Sequence, residues 1–322
     1  MTYVFVLASD AGDLYYEQAF LALTSLRLVM PLARAVVLVD RHTEKTLTGK
    51  RRAVRDLAEI VPVDVDPSFS KKECSRFIKT SMGKYVSGNF LYIDCDTIIC
   101  GDLSDIETCG FEIGCVPDMH MPFAVHARRT EIENVDKRFG FSSAQSIPLH
   151  FNGGVMYCTD TPAVHTFFDN WNRLWLFCKS KGFTNDQASL NQSNYLGNSI
   201  IKELDGSWNC QIASNGLRFL FSAKIVHYFA TSLISFQPPY LPADESVLQY
   251  IHENGTVDSK TQELLRNPKS AFRENVLLVS DPAERTVMNS VMFAKMFRLC
   301  KRNEKAFLLL DKFTSYFKKP WK

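Results

Sequence analysis

Apolar positions in the first hundred residues fall into short runs separated by polar turns. Tyr3 to Ala8 (YVFVLA) is one such run, closed by Ser9-Asp10-Ala11-Gly12-Asp13, and it predicts a buried strand followed by a turn. Tyr15 to Met30 is apolar at helical spacing through Phe20, Leu23 and Leu26, until Pro31 stops it. Ala35–Val39 predicts a second strand, Thr43–Ile60 a basic amphipathic helix, Val61–Val65 a third strand, Cys74–Val86 a helix and Phe90–Ile93 a fourth strand. This alternation predicts an α/β protein with a mostly parallel central sheet flanked by helices. Such sheets hold ligands beyond the carboxyl ends of their strands, so chemistry is expected in the turns after them.

The rhythm then loosens. Phe111–Val116 and Gly153–Tyr157 are strand-like, Pro162–Lys181 is a long aromatic helix, Asp186–Tyr195 a shorter one, and Ala223–Phe229 a last strand. After Pro238-Pro239 the chain turns polar and helical, which predicts a main domain over 1–237 and a helical C-terminal region over 238–322. No repeat or low-complexity segment interrupts either part.

Composition adds little beyond an ordinary core: 46% of the 322 residues are hydrophobic and 22% charged. Charge distribution is more telling than the net +2. Nine Lys or Arg and two acidic residues lie between Lys295 and Lys322, so that tail carries +7 and the remainder −5. Residues Ser290 to Lys322 interleave the basic residues with Phe293, Phe297, Phe307, Phe313, Tyr316, Phe317 and Trp321. Two readings stand: peripheral contact with an anionic membrane, or a helix packed on the domain with a solvated basic face. Nucleic acid is not expected, because the main domain is acidic and no recognition motif is present. Nine cysteines without a CxxC pair predict reduced, mostly buried thiols in a cytoplasmic protein, with Cys95, Cys100, Cys115 and Cys158 in the most apolar surroundings. No signal peptide is recognised, and no apolar run reaches the ~18 residues of a membrane span.

Candidate chemistry begins with Asp94-Cys95-Asp96 at the end of the fourth strand. Extended residues two apart point to one side, so both carboxylates can address one hard cation such as Mn²⁺ or Mg²⁺. Asp64-Val65-Asp66 has the same spacing. The later pair is favoured because Ile98 and Ile99 bury the chain just beyond it, Lys79 on the preceding helix offers a cation for phosphate, and His227 closing a late strand offers an imidazole. Phe151-Asn152-Gly153-Gly154 lets backbone approach a ligand, or is a simple turn. Asp186, opening a helix before Gln187, is a site residue or a cap.

In this order, FLYIDCDTII, HFNGGVMY, NDQASLN and KIVHYF resemble glycosyltransferase family 8, the retaining enzymes that include glycogenin and the bacterial lipopolysaccharide galactosyl- and glucosyltransferases. The resemblance runs from Tyr3 to about Leu233. It implies a GT-A-type nucleotide-sugar-binding fold and transfer of glucose or galactose from a UDP-sugar to a glycan or lipid-linked acceptor. It places Leu7, Ala8 and Asp10 near the uridine, Tyr15 on the base, and Lys79, Asp94 and Cys95 on the donor. Asp94, Asp96 and His227 become the ligands of Mn²⁺ (or Mg²⁺). Asn152 and Gly153 contact the donor sugar, and Asp186 and Gln187 lie beneath it as catalytic residues. The implied location is cytoplasmic, with the tail a candidate for contact with the inner membrane face. The acceptor is expected between Pro117–His150 and the C-terminal region. Family members carry a lysine for the diphosphate shortly after the histidine, whereas here Tyr-Phe-Ala-Thr-Ser-Leu-Ile follows His227. That departure keeps a non-catalytic binding protein open as an alternative. A sugar nucleotidyltransferase is the other, although Ser9–Leu14 lacks the basic phosphate loop expected there.

Overall fold

The computed structural model describes residues 1–212, 214–228, 241–272, 287 and 290–315. A seven-stranded sheet in the order β3-β2-β1-β4-β7-β6-β8 forms the centre. Its strands are β1 (Thr2–Leu7), β2 (Arg34–Asp40), β3 (Glu59–Val63), β4 (Phe90–Ile93), β6 (Ile113–Pro117), β7 (Phe151–Cys158) and β8 (Ile201–Glu203). β3, β2, β1 and β4 run parallel, β7 is antiparallel to both β4 and β6, and β8 is parallel to β6. Every residue of β1 and β4 is buried, as expected for strands covered on both faces. Two apolar clusters lie on opposite faces: one contains Phe5, Val37 and Leu91, the other Val4, Val36 and Tyr92. The alternation of side chains along each strand produces this division.

A small second sheet, β5-β10-β9, joins β5 (Thr97–Ile99) to β10 (Ile225–His227) and β9 (Cys210–Gln211). Thr97 pairs with His227 in antiparallel register. Ile98 and Ile99 are fully buried, so the turn between β4 and β5 is anchored at both ends.

Helix α1 (Tyr15–Val29) is buried around most of its circumference, from Tyr16 to Leu26. Leu241, Leu248, Ile251 and Phe272 belong to the same apolar cluster as Phe5 and Leu23, so the described part of the C-terminal region covers this helix. Glu17 accepts from His252 at 2.9 Å, and Gln18 donates to the Pro242 carbonyl at 3.1 Å.

The helix expected over Thr43–Ile60 is broken. Helix α2 (Arg41–Thr46) ends before Leu47, a tight turn covers Gly49–Ala53, α3 (Val54–Leu57) follows, and β3 already begins at Glu59. Gly49 has φ +54°, a backbone conformation that favours glycine and interrupts the helix. Buried Leu47 and Val54 then anchor the two sides of the turn. Helix α4 (Lys71–Ser81) starts at a capping box formed by Ser70 and Glu73. Its last turn delivers Lys79 to the ends of β1 and β4. Helices α7 (Pro162–Ser180) and α8 (Gln187–Leu196) cover the other strands, and α5 (Arg129–Phe139) and α6 (Ser143–Ser146) pack against α8. Two helices, Val291–Arg302 and Glu304–Ser315, close the described chain. Among the described residues no helix is long and apolar enough to cross a membrane. All nine cysteines are free thiols; Cys115, Cys158, Cys178 and Cys210 are buried, whereas Cys95 and Cys100 are partly exposed.

Candidate functional site

The two Asp-x-Asp pairs have different fates. Asp64 is exposed and pairs with Arg41 at 2.9 Å, while Asp66 accepts the Ser68 amide and hydroxyl within its own turn. Asp94 and Asp96 sit in the turn between β4 and β5. Asp94 N donates to the Gly154 carbonyl at 2.7 Å, and the Asp96 carbonyl accepts from Tyr228 N at 3.0 Å. Their carboxylates converge through this pinned turn rather than through extended alternation. His227 Nε2 lies 3.2 Å from Asp96 Oδ1 and 3.9 Å from Asp94 Oδ2. One ligand atom from each residue falls within 4.8 Å of the other two. Adjacent ligands of a cation with bonds of about 2.1 Å are about 3 Å apart, so the spacing suits one divalent ion.

The orientation of the His227 ring can be read from its support. The Gly154 amide can only donate, and it meets Asn152 Oδ1 at 2.9 Å. Asn152 Nδ2 therefore faces Asp118 Oδ1, at 3.0 Å. Asn209 Nδ2 also donates to Asn152 Oδ1, at 3.0 Å, which leaves Asn209 Oδ1 to accept from His227 Nδ1 at 2.9 Å. The chain Asp118–Asn152–Asn209–His227 thus places a proton on Nδ1 and turns Nε2 toward the two carboxylates. One imidazole nitrogen and two carboxylates gathered at this spacing form a donor set that fits a divalent metal. Burial opposes the charge on Asp118, but the His126 and Asn152 hydrogen bonds outweigh it and hold the carboxyl well below its usual range. The acceptor end of the chain is therefore fixed.

Replacing Asn209 with leucine should break this chain while leaving all three ligands in place. Calorimetric Mn²⁺ affinity should fall about 10- to 100-fold. Nitrogen-15 spectra of the metal-free variant should show mixed His227 tautomers where the parent shows Nδ1–H. An unchanged affinity and tautomer would contradict the role given to Asn209.

Glycine at 154 is a steric requirement of the same site. A Cβ there would stand 2.3 Å from His227 Cε1 and 2.8 Å from Nδ1. Position 153 is less constrained: its nearest neighbour is Leu190 Cδ2 at 3.2 Å, with Lys79 Nζ at 3.9 Å.

Lys79, 4% exposed, joins the metal-site carboxylates to a second acidic position. Its Nζ lies 3.0 Å from Asp94 Oδ1 and 3.9 Å from Asp186 Oδ2. Tyr92 donates its phenol to Asp94 and places its ring 4.9 Å from Lys79 Nζ. Asp186 stands at the N-cap position of α8 but makes no side-chain cap bond. Asn185 Oδ1 takes the Gln187 amide at 2.8 Å instead. The Asp186 carboxylate faces Arg76 Nε at 3.0 Å. Burial would raise its pKa, but Arg76 and Lys79 override it and keep the carboxyl ionised. Gln187 Nε2 lies 3.4 Å from both His150 Nδ1 and the Phe151 carbonyl. Burial lowers His150 to about 4, so it stands there as a neutral ring.

On the proposed nucleotide side, Leu7 and Ala8 are buried at the end of β1. Asp10 and Asp13 share Lys71, each at 2.8 Å, and Tyr15 is 41% exposed at the start of α1. The Cys95 thiol meets the Val6 carbonyl at 3.3 Å, which ties the metal turn to this loop. The Asn152 amide is committed to the buried chain described above.

Arg76, Asp118 and Asn209 were missed in the sequence. Arg76 had a signal, since it precedes Lys79 by one helical turn on the same face. Asp118 also had one, since with Pro117 it directly follows the strand expected over Phe111–Val116. Asn209 had none, because its role depends on long-range packing against His227. Residues 229–240, where the family's phosphate lysine would fall, lie outside the described residues, as do Tyr316, Phe317 and Trp321.

No protein-family model matches this chain, and no curated protein matches it by sequence. Solved structures do. The galactosyltransferase LgtC, in complex with donor and acceptor sugar analogues, is 15% identical with a TM-score of 0.51, over 82% of this chain and 99% of that one. The glycosyltransferase GlyE of Streptococcus pneumoniae is 17% identical with a TM-score of 0.49, over 83% of this chain and 62% of that one. The bifunctional glycosyltransferase WbbM is 15% identical with a TM-score of 0.48, over 71% of this chain and 45% of that one. This chain therefore spans less than two thirds of the length of GlyE and WbbM. The fold is that of the GT-A glycosyltransferases, with a mostly parallel seven-stranded sheet flanked by helices.

Proposed function

We propose that this protein is a metal-dependent, retaining glycosyltransferase that moves a hexose, glucose or galactose, from a UDP-sugar to a glycan or lipid-linked acceptor. The observation that carries the reading is the convergence of Asp94, Asp96 and His227 at the carboxyl edge of a nucleotide-binding type of sheet. These residues would hold Mn²⁺ or Mg²⁺, which when bound neutralises a departing diphosphate as a Lewis acid. Lys79 and Arg76 add positive charge beside the same carboxylates and suit a phosphate-rich donor. Asp186, kept ionised, is suited to stabilise a sugar with oxocarbenium character, and Gln187 beside it to orient the reacting centre. Leu7, Ala8, Asp10, Tyr15 and Cys95 would line the nucleotide side, and Gly153 would admit the sugar close to backbone.

The tail would contact an anionic membrane from the cytoplasmic side. Met292, Leu309 and Phe313 are 75%, 71% and 59% exposed, and they alternate with lysines and arginines.

Full-length protein incubated with UDP-glucose and UDP-galactose should release UDP slowly from one of them in Mn²⁺, and EDTA should stop the release. Absence of both UDP release and Mn²⁺-dependent UDP binding would defeat the proposal. UDP binding without turnover of any sugar would favour a non-catalytic relative.

A further inference from the structure

A second feature lies beyond Gln187. Helix α5 and the helix Val291–Arg302 enclose an open groove of about 790 Å³. Five cations line it, Arg128, Arg138, Arg298, Lys301 and Arg302, together with Glu131. Glu131 is already shared by Arg128 at 2.8 Å and Arg298 at 3.0 Å. Arg138 donates to the Lys181 carbonyl at 2.6 Å, and Lys301 lies 5.1 Å from the centre of the Phe297 ring. One carboxylate therefore faces five positive side chains gathered from two separate parts of the chain. Mutual repulsion of that kind is relieved by an anion. The net charge of the protein is only +2, so the patch is a local concentration.

Arg128, Glu131 and Val135 also line a narrow cavity of about 80 Å³ whose other walls include His150 and Gln187. The groove and the residue assigned to the reacting centre are therefore separated by a single layer of shared wall residues. Beside the groove, Leu299, Leu309, Leu310 and Phe313 line an apolar cleft between the last two helices.

We infer that this groove is the acceptor site and that it selects an acceptor bearing phosphate groups, with the phosphate held by Arg138, Arg298, Lys301 and Arg302 and the accepting hydroxyl directed toward Gln187. This inference rests on the transferase reading for the word acceptor, but the anion site itself does not. Arginine forks suit phosphate oxygens, and a diphosphate matches cations on both walls.

The test uses full-length protein in EDTA, so that the metal site does not bind the probe. Calorimetry with inorganic pyrophosphate should show binding that weakens at least ~10-fold in the double variant Lys301→Glu, Arg302→Glu. Arg138→Glu, on the opposite wall, should weaken it as well. Mn²⁺-dependent UDP binding should stay within about 2-fold in all three proteins, because these residues lie outside the donor site. Sedimentation with vesicles of phosphatidylcholine, with and without 30% phosphatidylglycerol, identifies the source of the phosphate. Charge-dependent retention lost in the double variant assigns a lipid-linked phosphate; pyrophosphate binding without retention assigns a soluble phosphorylated glycan. Pyrophosphate affinity unchanged by both substitutions overturns the inference. If the groove binds as expected but no UDP-sugar is turned over, the transferase reading fails and the anion site stands.

Discussion

Substituting Asp96 with alanine should abolish metal-dependent release of UDP while leaving the fold intact. The expected loss is on the order of 10³-fold or more, since a Lewis acid at the diphosphate supplies several kcal/mol of barrier reduction. The loss should be specific because the backbone contact of Asp96, its carbonyl accepting from Tyr228 N at 3.0 Å, does not depend on its side chain. Circular dichroism of the metal-free variant should match that of the parent. Turnover retained in the variant, and still sensitive to EDTA, would place the metal elsewhere.

The second large effect is expected at Gly154, which brings no side chain to the site. An added methyl group would overlap His227 Cε1 at 2.3 Å and Asn152 Oδ1 at 2.9 Å. The imidazole is 2% exposed and held by Asn209, so it has little room to retreat. Gly154→Ala should weaken Mn²⁺ binding about 100-fold or more by turning the ring away from the carboxylates. Overpacking should also cost about 1–3 kcal/mol of folding stability in a denaturant titration. Gly153→Ala is the internal comparison: its new methyl group meets the flexible end of Leu190 at 3.2 Å, so both effects should be smaller. Equal metal affinity in Gly154→Ala and the parent would show that the ring position is not what the site requires.

These two positions illustrate how much was legible beforehand. Asp94 and Asp96 were readable because an acidic pair stood between two short apolar runs, each of which became a buried strand. Their geometry was not readable: the carboxylates meet because the turn is pinned by Gly154 and Tyr228, both distant in sequence. His227 was readable only in combination with the pair. Asp186 was ambiguous between a cap and a site residue, and only the three-dimensional pairing with Arg76 and Lys79 separates the two.

The parallel half of the sheet followed from the spacing of apolar runs, and so did β10, which falls within the strand expected over Ala223–Phe229, whereas β5 and the two-residue β9 did not. Segments such as Thr97–Ile99 and Cys210–Gln211 become strands by pairing with a partner far along the chain, a context that local periodicity does not contain. The expected Thr43–Ile60 helix failed for a local reason. Its amphipathic pattern outweighed Gly49, whose left-handed backbone ends helix α2 and redirects the chain into β3. The basic tail was conspicuous from composition, but the face it presents to α5, through Arg298 and Glu131, depended on packing.

The most direct test of the account is to load the full chain with Mn²⁺ and measure electron spin echo modulation from ligand nitrogen. One ion per chain should bind, with a single imidazole coupling that vanishes in His227→Ala. A bound ion that shows no nitrogen coupling, or one whose coupling survives that substitution, would mean that mid-chain carboxylates and late imidazole do not share a cation.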